Sequence, residues 1–129
     1  MDLLPDILTI ITASTPLLLA ATGELITEKS GVLNLGVEGM MLIGAIAAFA
    51  TAVSTGSALL AILAGAFSGA LVASVFAVLT LIFLANQVAT GLALTIFGVG
   101  LSALIGSNFV GVALEPLPKL NVNSVSTIP

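Results

Sequence analysis

From Gly39 to Leu114 the chain runs 76 residues without a single charged side chain. A soluble domain covers its surface with polar and charged groups, and a stretch of this kind has too few to do so. Only 6% of the whole chain is charged and 59% is hydrophobic, against about 25% charged in an average soluble domain. The composition excludes an ordinary soluble enzyme and a disordered tail. With only two lysines and no arginine, the chain cannot neutralise a useful number of phosphates, so a nucleic-acid partner is excluded as well. The chain reads as an integral membrane protein whose first partner is the lipid bilayer.

The eight charges are Asp2, Asp6, Glu24, Glu28, Lys29, Glu38, Glu115 and Lys119. Cysteine and histidine are absent, which removes disulfides, Cys/His metal sites and histidine-based catalysis. No tryptophan or tyrosine is present for an interfacial belt. The start, Met1-Asp2-Leu3-Leu4-Pro5-Asp6, is acidic where a secretory signal is basic, so it reads as a mature membrane-protein start.

A helix needs about 20 apolar residues to cross the hydrocarbon core. Turn residues divide the chain into four such segments. Segment A covers about Ile7 to Thr22 and contains Pro16, where a kink is expected. Segment B covers Val32 to Val53 and ends at the turn Ser54-Thr55-Gly56-Ser57. Segment C covers Ala58 to Leu84, and segment D covers Val88 to Ile105 after the polar break Asn86-Gln87. The expected fold is all-α, a polytopic transmembrane bundle of four segments in one domain, 1–129, with residues 107–129 as an extramembrane loop. Lys29 and Lys119 then fall on opposite sides, so positive charge sets no orientation.

Segment C carries small residues at every fourth position: Ser57, Ala61, Gly65, Gly69, Ala73 and Ala77. Residues at this spacing share one helix face, and a small-residue face lets another membrane helix approach closely. Ala61, Gly65, Gly69 and Ala73 are therefore expected to pack helices. Gly44, Ala48 and Ala52 in segment B, and Gly98, Ser102 and Gly106 in segment D, repeat the device.

The polar groups concentrate in Thr22 to Met41. Glu24 and Glu28 are spaced for one helical turn, with Lys29 beside them. Asn34 and Glu38 are spaced i, i+4 and would share a helix face. Glu38 lies between Gly36 and Gly39 and leads straight into the neutral run. An ionised acid at bilayer depth costs about 2.5–3.5 kcal/mol or more, and each glycine weakens a helix by about 1 kcal/mol relative to alanine. A helix broken near Gly36–Gly39 and lining a cavity is one reading; a water-facing surface acid is the other. Asn86 and Gln87 form either a polar turn or an internal polar cluster. Thr90 and Thr95 are weaker candidates, since hydroxyls often bond their own helix carbonyls.

The run Glu28-Lys29-Ser30-Gly31-Val32-Leu33-Asn34-Leu35-Gly36-Val37-Glu38-Gly39-Met40-Met41 resembles the signature of bacterial ABC importer permeases serving branched-chain amino acids, simple sugars and nucleosides. The run Asn86-Gln87-Val88-Ala89-Thr90-Gly91-Leu92-Ala93-Leu94 is similar to a second motif of those permeases. The Glu-Lys-Ser-Gly variant looks most like the nucleoside branch, which works with lipoprotein-type binding proteins. The resemblance implies one permease subunit of an importer in the bacterial inner membrane. Its partners would be a second permease subunit, two cytoplasmic ATPase subunits and an extracytoplasmic substrate-binding protein. It also implies that Asn34, Gly36, Glu38 and Gly39 belong to the substrate pathway, with Asn86 and Gln87 in the pathway or in helix packing. ATP would bind the partner subunit. This chain carries no Gly-x-x-x-x-Gly-Lys-Ser/Thr loop, so no cofactor and no ATP hydrolysis are expected on it.

Permeases of this type run considerably longer and carry a cytoplasmic coupling segment, which nothing after Gly106 resembles. An N-terminal fragment of a longer permease is therefore expected. Two other readings stay open on the residues alone: a small proton-conducting oligomer built on Glu38, and a structural multi-pass protein without a path.

Overall fold

A computed structural model describes residues 3–114 of the chain. Four long helices follow one another: α1 (Leu3–Lys29), α2 (Val37–Thr55), α3 (Ala58–Ala77) and α4 (Gln87–Gly106). A π-helical turn, Val78–Ile82, extends α3, and a 3-10 turn, Ser107–Phe109, extends α4. No strand occurs among the described residues. Each of the four is long and apolar enough to cross a bilayer. Large apolar side chains stand exposed along them, including Leu17, Leu18, Leu19, Ile62, Phe67 and Leu104. Such a surface is stable in lipid and not in water. The protein is an α-helical, multi-pass membrane protein.

Hydroxyls along α1 are satisfied locally. Thr9 donates to the Pro5 carbonyl, Thr12 to Leu8, Thr15 to Ile11 and Thr22 to Leu18, at 2.6–2.8 Å. These four donors are thereby paired within their own helix. Helix α1 runs through Pro16 without ending and buries none of its residues in this bundle.

Helix α2 is central. It packs lengthwise on α3 and on α4, and α1 meets it only weakly. Glycines set both approaches. A Cβ at Gly44 would lie 3.2 Å from the Gly65 carbonyl oxygen, and one at Gly65 would lie 3.1 Å from both the Ala48 Cβ and the Gly44 carbonyl oxygen. The α2–α4 crossing is tighter still. A Cβ at Gly98 would lie 2.6 Å from the Gly39 Cα, and one at Gly39 would lie 2.7 Å from the Thr95 Cα. Backbone packs against backbone there, which only glycine permits. An edge-on pair of Phe49 and Phe109, 5.9 Å between ring centres, joins α2 to the turn after α4.

The turns follow from their residues. Gly56, at φ 65°, closes α2 by donating its N–H to the Ala52 carbonyl. The Ser57 hydroxyl then accepts from Leu60 N–H and opens α3. At the far end of α3 the widened π turn stops at Leu84, which takes a left-handed φ of 53°.

The segment limits differ from expectation at the first connection. Helix α1 continues past Thr22 to Lys29, so the helical turn expected at Glu24 and Glu28 belongs to α1 itself and not to the connection after it. Helix α2 starts at Val37, not Val32. The interruption expected near Gly36–Gly39 lies just ahead of the helix, at 32–36, and α2 is continuous from Val37. Asn34 and Glu38 therefore do not share a helix face. Of the expected 107–129 loop, residues 107–109 form the 3-10 turn and 115–129 lie outside the described residues.

Candidate functional site

Helix α1 ends in a Schellman motif. Gly31 adopts φ 84°. Its N–H reaches the Glu28 carbonyl at 2.9 Å, and the Val32 N–H reaches the Thr27 carbonyl at 3.0 Å. The chain then runs in irregular conformation to Gly36. Irregular backbone at membrane depth needs partners for its polar groups. Here α1, α4 and the segment itself supply them. The Leu33 N–H donates to Gln87 Oε1 at 2.8 Å. The Asn34 N–H donates to Glu24 Oε1 at 3.1 Å. The Gly36 N–H donates to Asn34 Oδ1 at 2.9 Å, a local turn that displaces Asn34 from any helix. The Leu35 carbonyl accepts from the Thr95 hydroxyl at 2.9 Å. Three side chains, Glu24 of α1 with Gln87 and Thr95 of α4, thus clamp five residues of connection.

Gly91 completes the clamp. A Cβ there would lie 2.8 Å from Leu35 N and 2.9 Å from Gly36 N, so α4 presses directly on the connection. Asn86 plays a separate part. Its side-chain oxygen accepts from Ala89 N–H at 3.0 Å and caps α4. Asn86→Ala is expected to cost about 1 kcal/mol, read as a lowered midpoint of thermal unfolding in detergent. Asn86→Asp is expected to keep the cap.

Beside the clamp opens a groove of about 740 Å3 between α1, α2 and α3. Its floor is small residues, Gly44, Gly65 and Gly69, flanked by Met40 and Met41. Among the described residues its polar groups are Glu24, Thr27 and Asn34, and Glu24 is its one charged residue.

The six residues expected along a path thus separate. Asn34 is buried and lines the groove. Gly36 and Gly39 are buried against α4 and shape a helix crossing. Asn86 caps a helix, and Gln87 holds the connection. Glu38 is exposed in the first turn of α2, where its charge complements the helix N-terminus. Of the four expected packing residues, Ala61 is buried and Gly65 is in close contact with α2. Gly69 lines the groove, and Ala73 stands exposed because a strict spacing of four drifts off a helix face of about 3.6 residues per turn, while Phe76 further along is buried. Sequence reasoning missed Glu24 and Thr27 as groove residues. Their i, i+3 spacing on one helix was the available signal. It also missed Gly91, whose close approach depends on a contact between distant parts of the chain.

The sequence profile of the family described as "Branched-chain amino acid transport system / permease component" matches residues 6–118. A putative glucose ABC transporter permease protein of Haloferax volcanii is 44% identical over 84% of this chain and 33% of its own length. The guanosine ABC transporter permease protein of Bacillus subtilis is 32% identical over 96% of this chain and 44% of its own. A nucleoside ABC transporter permease protein of Lactococcus lactis is 33% identical over 71% and 31%. The chain therefore spans less than half the length of these relatives. No solved structure matches it. With four apolar helices and a profile match along nearly all of its length, the chain belongs to the family of branched-chain amino acid transport system permease components.

Proposed function

We propose that this chain forms part of the substrate translocation path of an ATP-driven importer of nucleosides, with sugars the next substrate class. The observation that carries this reading is the family match over residues 6–118. The guanosine and nucleoside permeases among its relatives support the first substrate class, and the glucose permease supports the second. The path follows the groove between α1, α2 and α3, with Asn34 on its wall. Gly36, Gly39, Asn86 and Gln87 hold that wall in shape, and Glu38 stands exposed in the adjoining first turn of α2.

The partners in this reading are a second permease subunit, cytoplasmic ATPase subunits and an extracytoplasmic substrate-binding protein, in the bacterial inner membrane. ATP is hydrolysed on the ATPase subunits, and this chain binds no cofactor. The test is uptake by the full-length permease reconstituted in liposomes with its ATPase and binding protein. ATP-dependent accumulation of labelled guanosine, competed by other nucleosides, is the expected result. Accumulation of glucose alone moves the substrate to sugars. Uptake of neither overturns the transport reading.

A further inference from the structure

We propose that the Glu24 carboxylate and the Asn34 side-chain amide, at the polar end of the groove, hold a vicinal diol of a sugar ring. The proposal rests on the transport reading above and deepens it. Asn34 is 8% exposed, and its two ends are fixed. Its Oδ1 accepts the Gly36 N–H, so Nδ2 is the end directed elsewhere. The partner of Nδ2 is the Met40 sulfur at 3.6 Å, a weak acceptor. A buried amide donor without an oxygen partner is costly. Asn34 lines the groove, and a ligand oxygen there would be a stronger partner for Nδ2 than the Met40 sulfur.

Glu24 supplies the complementary half. An ionised carboxylate offers about four acceptor positions. Asn34 N–H occupies one at 3.1 Å, and the Thr27 hydroxyl approaches another at 3.4 Å. Glu24 lines the groove, and no other partner of its carboxylate is found among the described residues. Two adjacent hydroxyls match a carboxylate as paired donors, and hydrogen bonds to a charged acceptor are the strong kind. Hydroxyl oxygens in turn accept from Asn34 Nδ2. Among the described residues no lysine or arginine lines the groove, so a phosphorylated ligand would meet only like charge there. The ligand is neutral and rich in hydroxyls. Its apolar part lies on Met40, Met41 and the glycine floor, and the groove volume falls within the range of about 300–1,000 Å3 typical of small-molecule sites.

The test is a substrate–variant cycle in the complete reconstituted transporter, with guanosine and 2′,3′-dideoxyguanosine as probes. If the wild type carries glucose instead, glucose and 2,3-dideoxyglucose take their place. Glu24→Gln keeps an acceptor for Asn34 N–H and loses the charge. It is expected to lower uptake of the diol substrate at limiting concentration by about 10- to 100-fold, as a raised KM. Uptake of the dideoxy analogue is expected to change little between wild type and variant. Comparing the two ratios cancels any preference of the binding protein. Equal losses for both probes would show that Glu24 only positions the connection, and would overturn the proposal. An unchanged KM for the diol substrate would do the same.

A second variant guards against a folding defect. A Cβ at Gly69 meets nothing closer than the Met40 carbonyl at 3.9 Å, so Gly69→Leu extends into open space. It is expected to abolish uptake at normal membrane abundance. Wild-type uptake by Gly69→Leu would remove the groove from the path, and the diol site with it. If the wild type carries neither guanosine nor glucose, the transport reading itself fails, a result distinct from wild-type uptake with insensitive variants.

Discussion

Alanine at Gly98 is expected to destabilise the bundle by about 1–3 kcal/mol, because an added methyl must push two backbones apart. The new Cβ would sit 2.6 Å from both the Cα and the carbonyl oxygen of Gly39. Neither atom is the end of a flexible side chain, so nothing yields without moving α2. Gly39→Ala meets the same obstacle from the other side, against the Leu94 carbonyl and the Thr95 Cα. The pair is expected to be strongly non-additive, since the first methyl already separates the helices that the second would clash with. Gly100→Ala is the internal control. It lies one half-turn on in the same helix, with nothing within 4 Å of its Cβ position. Removing that glycine is expected to stabilise α4 by up to about 1 kcal/mol. Thermal unfolding in detergent reads all three. Equal effects at Gly98 and Gly100 would mean the crossing is not backbone-tight.

Gln87→Leu is expected to be the second large effect. It removes the acceptor for the Leu33 N–H, which lies in irregular backbone with no helical partner to turn to. Leu33 is exposed in this bundle, so the loss of the bond is expected to cost about 0.5–1.5 kcal/mol. The loss falls locally, on residues 32–36, so faster hydrogen exchange at Leu33 and Asn34 is expected beside a lowered unfolding midpoint. Gln87→Glu retains a side-chain acceptor at the same reach and is expected to keep most of the protection. If both variants exchange like the wild type, the Gln87 bond does not hold the connection.

Much of the fold was legible because membrane helices announce themselves by length and by lack of charge. The turn at Ser54–Ser57 and the close approach of Gly65 follow from residue types and local spacing, whereas the sequence leaves Asn86 as a polar turn or an internal cluster and its capping role comes from the structure. The first connection was misjudged for an equally local reason. Gly23 and the charges at Glu24, Glu28 and Lys29 suggest a separate helical turn beyond the end of the first membrane segment, yet nothing crowds or strains Gly23, and α1 passes through it. The helix stops only where Gly31 supplies a left-handed residue. Helical spacing then misled at Asn34, because its side chain bonds Gly36 N–H and the period of 3.6 does not begin until Val37. The groove was out of reach of sequence altogether. It depends on how α1 and α3 flank α2, and Glu24 belongs to it through a contact with residue 34 that no local pattern encodes.

The central claim is that this groove is a water-accessible path and not a lipid-filled seam. The chain has no cysteine of its own, and cysteines elsewhere in the transporter are first replaced so that single introduced thiols report cleanly. Ala70 lines the groove, while Ile62, on the same helix, stands exposed on apolar surface. The decisive measurement is the rate at which a charged, membrane-impermeant thiol reagent labels Ala70→Cys and Ile62→Cys in the assembled transporter. The account predicts rapid labelling at position 70, slowed by saturating substrate, and none at position 62. Equal resistance at both positions, or labelling at 70 that substrate leaves untouched, would contradict it.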